Sequence, residues 1–305
     1  MKKQMVIAIL CVVSLAVIVT GCSKKDDSTK KSSEISSADD TGISKKLQKV
    51  QKAGVLKVGS SGDVYAYIDQ ATGEFTGIDA EIIKEVAKRL GVEKVEMVLM
   101  PFSELILNLT SGNIDIICDG MYTRAERAKK IYYGEIWYTQ GGSLVVQEDS
   151  PINSIEDFDP KSTVVGYTSG TAWQSVVTGW EADKLIKDAI ATGDQTDSLV
   201  ALQFNKIDAY LTDSTVIESL QNNSPETLKG LRLCTEYKDS SETLGHIAPS
   251  VTFENIDFMD EINTVIYQLR KEGFIEEAMV KCGLIPSLHM ITNSEEDRAP
   301  LVNIK

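Results

Sequence analysis

Hydrophobic positions along the chain fall into short runs of strand length separated by longer stretches at helical spacing. Between Gly77 and Gly91, the residues Ile78, Ile82, Val86 and Leu90 recur every fourth position, which predicts an amphipathic helix closed by Gly91. Residues 45–53 read as a helix ended by Gly54, residues 55–58 as a short strand, and residues 95–99 as the next strand. A helix over 102–109 would pack through Leu105, Ile106 and Leu109. The apolar run Ile114, Ile116, Ile117 and Cys118 has strand length and stops at Gly120. Thr123 is then placed to cap a helix through Arg124, Ala125, Glu126 and Arg127, with Glu126 at capping-box spacing. This alternation of strand and helix, without hairpin signals, predicts a largely parallel sheet. Ligands in such sheets sit at the carboxyl ends of the strands, here at Asp119 and Gly120.

One stretch is echoed. Leu109-Thr110-Ser111-Gly112-Asn113-Ile114-Asp115 returns 93 residues later as Leu202-Gln203-Phe204-Asn205-Lys206-Ile207-Asp208, each a helix end, a turn and a strand start. The second copy runs on through Asp213 into another helix, so two similar α/β halves are the simplest explanation. The second half would contain a strand at 163–167, the loop 168–171 and a helix from about Ala172. The chain would cross between halves near Gly141 and Gly142, return over 244–251, and finish in helices over 256–282 closed by Gly283. The expected division is a first lobe at 43–141, a second at 142–246, a return to the first at 247–290 and a tail at 291–305. Two short crossings suit a hinge.

The amino terminus changes the compartment. Met1-Lys2-Lys3, an apolar run over 5–19 and the box Val19-Thr20-Gly21-Cys22 resemble a bacterial lipoprotein signal, which implies removal of residues 1–21 and lipidation of Cys22. A membrane-spanning anchor would need about 20 apolar residues, more than this run offers. Residues 22–42 are almost wholly polar and read as a disordered tether. Once Lys2 and Lys3 leave with the signal, 29 cationic side chains face 45 acidic ones for a net charge of −16. That balance argues against nucleic acid or an anionic membrane surface as partner. Cys118, Cys234 and Cys282 read as small buried residues, with a Cys234 to Cys282 bridge left open. The spacings match no zinc pattern, and His246 and His289 are the only histidines, so neither a metal nor a cofactor is expected.

With these residues in view, the chain resembles the family 3 extracellular solute-binding proteins, the amino-acid receptors of ABC importers, over residues 43–285. Gly77-Ile78-Asp79-Ala80-Glu81-Ile82 is similar to the family's helix signature, and Phe102-Ser103-Glu104-Leu105-Ile106 to the helix that presents an aromatic platform. Gly120-Met121-Tyr122-Thr123-Arg124-Ala125-Glu126-Arg127 and Val165-Gly166-Tyr167-Thr168-Ser169-Gly170-Thr171 are similar to its two ligand loops. The resemblance implies a two-lobed α/β periplasmic-binding-protein-like (type II) fold, each lobe a mostly parallel sheet flanked by helices, joined by two crossover segments. It implies a lipid-anchored, extracytoplasmic monomer that binds an amino acid between the lobes and delivers it to a membrane permease, without catalysis.

Carried over by residue, the resemblance assigns the ligand carboxylate to Arg127, Gly120 and Thr171, and the ammonium to Asp213. A guanidinium fork fits a carboxylate and an aspartate accepts from an ammonium, so the pair suits a zwitterion. Phe102 and Tyr65 would sandwich the side chain, with Tyr67 an alternative to Tyr65. Tyr122 stands where a small hydroxyl residue is usual and Asp119 where small residues are common, and both are taken as ligand contacts. Trp173 could add to an aromatic cage, and blander roles compete: Arg127 as an exposed cation, Asp213 as a helix cap, Phe102 as core, Asp119 pointing away from the cleft, and Trp173 as filler of the second lobe. Two other functions share the pattern, a cyclohexadienyl dehydratase-like enzyme using Asp119 as its acid, and a receptor for a non-standard zwitterion such as ectoine or betaine.

Overall fold

The computed structural model of the protein describes residues 42–239 and 245–289. The leader, Cys22, the tether before Gly42, Leu244 and the tail 291–305 lie outside those residues. Two five-stranded sheets carry the fold. In the first, the strands run in the order Lys94–Leu99, Val55–Ser60, Ile116–Ile117, Ser250–Val251 and Tyr132–Tyr133. In the second, the order is Asp188–Thr192, Val164–Thr168, Ala209–Asp213, Gly142–Gln147 and Leu231–Leu233. In both sheets the first three strands are parallel and the fourth runs antiparallel to its neighbours. The sheets therefore share one pattern of direction, and in each the three parallel strands follow one order, the middle one coming first in the chain.

The repeated aspartates explain part of this likeness. The Asp115 amide donates to the Lys57 carbonyl, and its carboxylate accepts from the Lys57 amide at 2.8 Å. Asp208 makes the same pair of bonds with Val164, again with 2.8 Å to the carboxylate. Each aspartate thus pairs with the start of the second strand of its sheet just before the third strand begins.

The helix Ile78–Arg89 follows its periodicity, burying Ile78, Ile82, Ile83 and Val86. Each such side chain contributes roughly 1.5–3 kcal/mol on burial. Asp79 and Glu81 in its first turn and Lys88 and Arg89 in its last complement the helix dipole. Residues 102–109 divide into a tight turn, Phe102–Glu104, and a helix, Leu105–Thr110. The expected cap at Thr123 is not formed. The helix there is only Ala125–Ala128, its N-cap is Arg124, and no side chain caps it. Thr123 instead donates its amide to the His246 carbonyl at 2.9 Å, while Tyr122 bridges to Ile247. Backbone pairing with a distant segment holds this stretch extended and delays the helix.

The two crossings pair with each other. Tyr138–Gln140 and Gly245–Ile247 form an antiparallel ribbon, Gln140 opposite Gly245 and Tyr138 opposite Ile247. The chain closes with helices Ile256–Glu272 and Phe274–Lys281 and the short Pro286–His289. Cys118, Cys234 and Cys282 are free thiols, so the bridge left open by the sequence is not made. Among the described residues no helix is long and apolar enough to cross a membrane, and no cluster of histidine, cysteine or acidic side chains could hold a metal ion.

Candidate functional site

Asp213 is the last residue of the strand Ala209–Asp213 and the N-cap of the helix Ser214–Asn223, yet its side chain makes no capping bond. The carboxylate turns into the space between the sheets. Its Oδ2 accepts from the Tyr65 hydroxyl at 2.7 Å and its Oδ1 from the Trp173 indole Nε1 at 2.7 Å. The Tyr65 hydroxyl also lies 2.9 Å from Gln140 Oε1 and 2.9 Å from Thr215 Oγ1. Tyr122 stands edge-on to Trp173, with centroids 5.9 Å apart and planes at 80°. Tyr65, Tyr122, Trp173 and Asp213 are all buried. Burial raises the Asp213 carboxyl pKa, against the bonds from Tyr65, Trp173 and Tyr122 and the charge of Arg127.

Three glycines seat the three rings. A Cβ at Gly120 would lie 2.6 Å from the Tyr65 ring, and one at Gly142 would lie 2.6 Å from the Trp173 ring. One at Gly245 would overlap the Tyr122 ring. Gly120 also has φ +59°, in the left-handed region that glycine adopts without strain.

Arg127 lies across from this cluster. Its Nη1 donates to the Tyr122 carbonyl at 2.9 Å and its Nη2 to the Gly170 carbonyl at 2.8 Å. The guanidinium carbon is 5.4 Å from the centroid of the half-buried Phe102 ring, within cation–π range. Burial lowers the Arg127 pKa. Gly170, at φ +80°, packs so closely on the turn at 102–104 that a Cβ there would come 2.8 Å from Ser103 Cα. The first sheet's loops thus supply Tyr65, Phe102 and Arg127, the second's supply Gly170, Trp173 and Asp213, and the two sets touch.

Residues 56–282 match the bacterial extracellular solute-binding proteins, family 3. The chain belongs to this family. Its fold is the type II periplasmic-binding-protein fold. It is 30% identical over 224 residues to the glutamine-binding protein of Geobacillus stearothermophilus, covering 72% of this chain and 82% of that one. A mutant of arginine-bound ArgBP from T. maritima superposes with a TM-score of 0.64 at 26% identity, covering 73% of this chain and 99% of that one. The ancestral amino acid-binding protein AncCDT-1, a precursor of cyclohexadienyl dehydratase, superposes with a TM-score of 0.66 at 24% identity, covering 78% of this chain and 99% of that one. That last likeness is one of fold.

Within this solute-binding protein, three of the residues singled out in the sequence are engaged elsewhere. Asp119 is buried, with Oδ1 accepting from Ser60 Oγ at 2.9 Å and Oδ2 from the Ser61 amide at 2.8 Å. Burial, reinforced by nearby Asp79, pushes its carboxyl up to about 7. Gly120 donates its amide to Asp79 Oδ2 at 2.8 Å, and Thr171 donates its hydroxyl to the Thr168 carbonyl at 2.7 Å. Of the two candidate tyrosines, Tyr65 meets Asp213, whereas Tyr67 lies half-exposed in a small hairpin strand, Tyr67–Ile68.

Sequence reading passed over Gln140 and Asp79 and left Trp173 between an aromatic cage and filler. The indole of Trp173 is a direct partner of Asp213. Gln140 precedes the Gly141-Gly142 crossing, and Asp79 lies inside the helix signature, so position rather than residue type was the available signal. Asp79 links two functional parts by accepting from the Gly120 amide and from the Tyr138 hydroxyl, at 2.7 Å, on the crossing ribbon. Burial pushes its carboxyl up to about 7.

Proposed function

We propose that the protein is a lipid-anchored extracytoplasmic receptor that binds an amino-acid zwitterion between its lobes and delivers it to an ABC importer. The observation that carries this reading is the meeting of Tyr65 and Asp213 at 2.7 Å, and of Arg127 and Gly170 at 2.8 Å, which brings a cation and an anion from opposite lobes into one buried region. Arg127 takes the ligand carboxylate over the Phe102 ring, and Asp213 takes the positive end. Tyr122 lies between them, its carbonyl bound to Arg127 and its ring against Trp173. The relatives named for glutamine and for bound arginine support an amino-acid ligand. The lobes meet at the ribbon of residues 138–140 and 245–247, which serves as the hinge.

The anchor at Cys22 and the monomeric state belong to this reading and rest on the leader and on the family. The dehydratase alternative would use Asp119 as its acid, and that carboxyl is engaged by Ser60 and Ser61. A thermal-shift screen of the twenty common amino acids, ectoine and betaine, followed by calorimetry of the hits, tests the proposal. Stabilisation by at least one zwitterion is expected; a flat screen overturns it.

A further inference from the structure

Beside the loop that carries Tyr65, the lobes leave a cavity of about 170 Å³ between them. One wall is the first-lobe segment 62–67. The other is built by the second-lobe helices Gln195–Gln203 and Ser214–Asn223 and the turn that follows. One water molecule needs roughly 10–15 Å³ of such space, so an ammonium or guanidinium group fits. Apart from Asp63 and the phenol of Tyr67, the side chains on these walls do not titrate, and Asp63 is the only charged one.

Asp63 is half-buried and forms no ion pair among the described residues. Its Oδ2 accepts from Ser61 Oγ at 3.0 Å, while its Oδ1 makes no hydrogen bond to the described residues. Both oxygens therefore keep lone pairs for a further donor. Burial and the carboxylates of Asp119, Asp194 and Asp213 push the Asp63 carboxyl up to about 8, against the bond from Ser61. Tyr210, on the strand Ala209–Asp213, also feels its charge. A wider groove of about 350 Å³ continues from the cavity past Val64 and Tyr67, and the ammonium there, Lys281, is already paired with Glu81 at 2.8 Å. An acid held among other acids, with lone pairs facing open space, favours a group that brings positive charge and N–H donors together.

We propose that this cavity is a subsite for an ammonium or guanidinium group bound by Asp63, carried either at the side-chain end of the amino acid or by a separate amine. The first source rests on the reading above, in which Arg127 and Asp213 hold the zwitterion. When the cation enters, the Asp63 carboxyl releases its proton to solvent and the carboxylate accepts from the cation. The empty subsite holds that proton below about pH 8, so affinity for a cation rises with pH up to that value and levels off above it.

The test is calorimetric titration at pH 6.5 and 8.5 with pairs alike in shape and unlike in charge, arginine with citrulline and lysine with norleucine. Agmatine and cadaverine, which lack the carboxylate, are titrated beside them. At pH 8.5 the cationic member of at least one pair should bind about tenfold or more tightly, the size of a partly buried charge pair. The ratio within that pair should shrink several-fold at pH 6.5; a ratio that does not change overturns the inference without recourse to a variant. Asp63→Asn, which keeps the shape and removes the charge, should bring the pair within threefold, its melting temperature reporting the fold; an advantage that survives the substitution overturns the inference. Binding of agmatine or cadaverine to the parent and not to Asp63→Asn supports a separate amine, and the same dependence confined to the amino acids supports the ligand's own side chain. Equal or tighter binding of the neutral members, with neither amine bound, overturns the inference and leaves the zwitterion reading standing. Binding by none of the six compounds overturns the inference, and the screen of the twenty amino acids then decides the zwitterion reading by itself.

Discussion

Arg127 and Asp213 lie 86 positions apart in the sequence and on opposite sides of the cleft. Truncating either should leave an opposite ligand charge buried without its partner, a loss of roughly 2–5 kcal/mol. The dissociation constant should then rise by about 30-fold to several thousand-fold. Calorimetry of Arg127→Ala and Asp213→Ala checks this, and binding within threefold of the parent in both variants would remove the clamp. Asp119 carries the opposite expectation. Because Ser60 and Ser61 hold its carboxyl, Asp119→Asn should leave the order of ligand preference unchanged. A second residue-scale effect concerns protons. Asp79 keeps its proton up to about 7 in the folded state, against 3.8 for an ordinary aspartate, because it is buried. Between those values the folded chain binds more protons than the unfolded one, so stability falls as pH rises through the window and levels off above it. Each such group contributes a slope of up to about 1.4 kcal/mol per pH unit. Thermal melts of the parent from pH 4.5 to 7.5 should show this decline, and Asp79→Asn should flatten it. Identical slopes in the two proteins would mean that Asp79 is ionised throughout.

At the scale of elements, the two sheets are most alike where the sequence repeats itself. Asp115 and Asp208 make the same carboxylate bond to the second strand of their sheets, at 2.8 Å in each case. Replacing either with alanine leaves a strand amide without its charged acceptor and should cost about 1–3 kcal/mol. The Asp115→Ala cost should be the larger, since Asp115 also pairs with Lys46 at 2.6 Å. Urea unfolding of both variants measures this, and an unchanged midpoint in either would show that water replaces the carboxylate. That repeat, the helix face at Ile78, Ile82 and Val86, and the terminal helices were legible because local period and spacing determine them. The cap at Thr123 was misread because its amide pairs with His246, 123 positions away. The bond from Trp173 to Asp213 was illegible for a similar reason. The indole N–H acquires a role only because the strand ending at Asp213 delivers a carboxylate beside it. Residue type and local pattern carry no record of such encounters, whereas the family motifs brought Arg127, Phe102 and Asp213 into view by their order along the chain.

At the scale of the whole molecule, the lobes also meet away from the candidate ligand site. The helix Ser214–Asn223 of the second lobe faces the end of Phe274–Lys281 and the segment after it. Asn222 donates to the Gly283 carbonyl at 2.7 Å, Asn223 to the Cys282 carbonyl at 2.8 Å, and Glu218 accepts from the Ile285 amide at 3.1 Å. His289 lies between the Glu218 carboxylate, 2.6 Å away, and the Thr139 carbonyl on the crossing ribbon, 2.9 Å away. If the lobes part about the ribbon of residues 138–140 and 245–247, these bonds break, and they then weight the equilibrium between open and closed forms without touching ligand. A ligand that bridges Arg127 and Asp213 should shift that equilibrium toward the closed form and lower the radius of gyration seen in solution scattering. The double variant Asn222→Ala, Asn223→Ala removes two of the bonds. At about 0.5–1.5 kcal/mol each, their loss should weaken closure by about 1–3 kcal/mol. Affinity should fall by roughly 5- to 150-fold although every proposed ligand-contacting side chain is intact, with the lower end expected because both amides are solvent-exposed. Calorimetry reports the affinity, and scattering with and without saturating ligand reports the closure. An unchanged dissociation constant together with an unchanged radius would show that the contacts at Cys282 and Gly283 are not part of the closing motion.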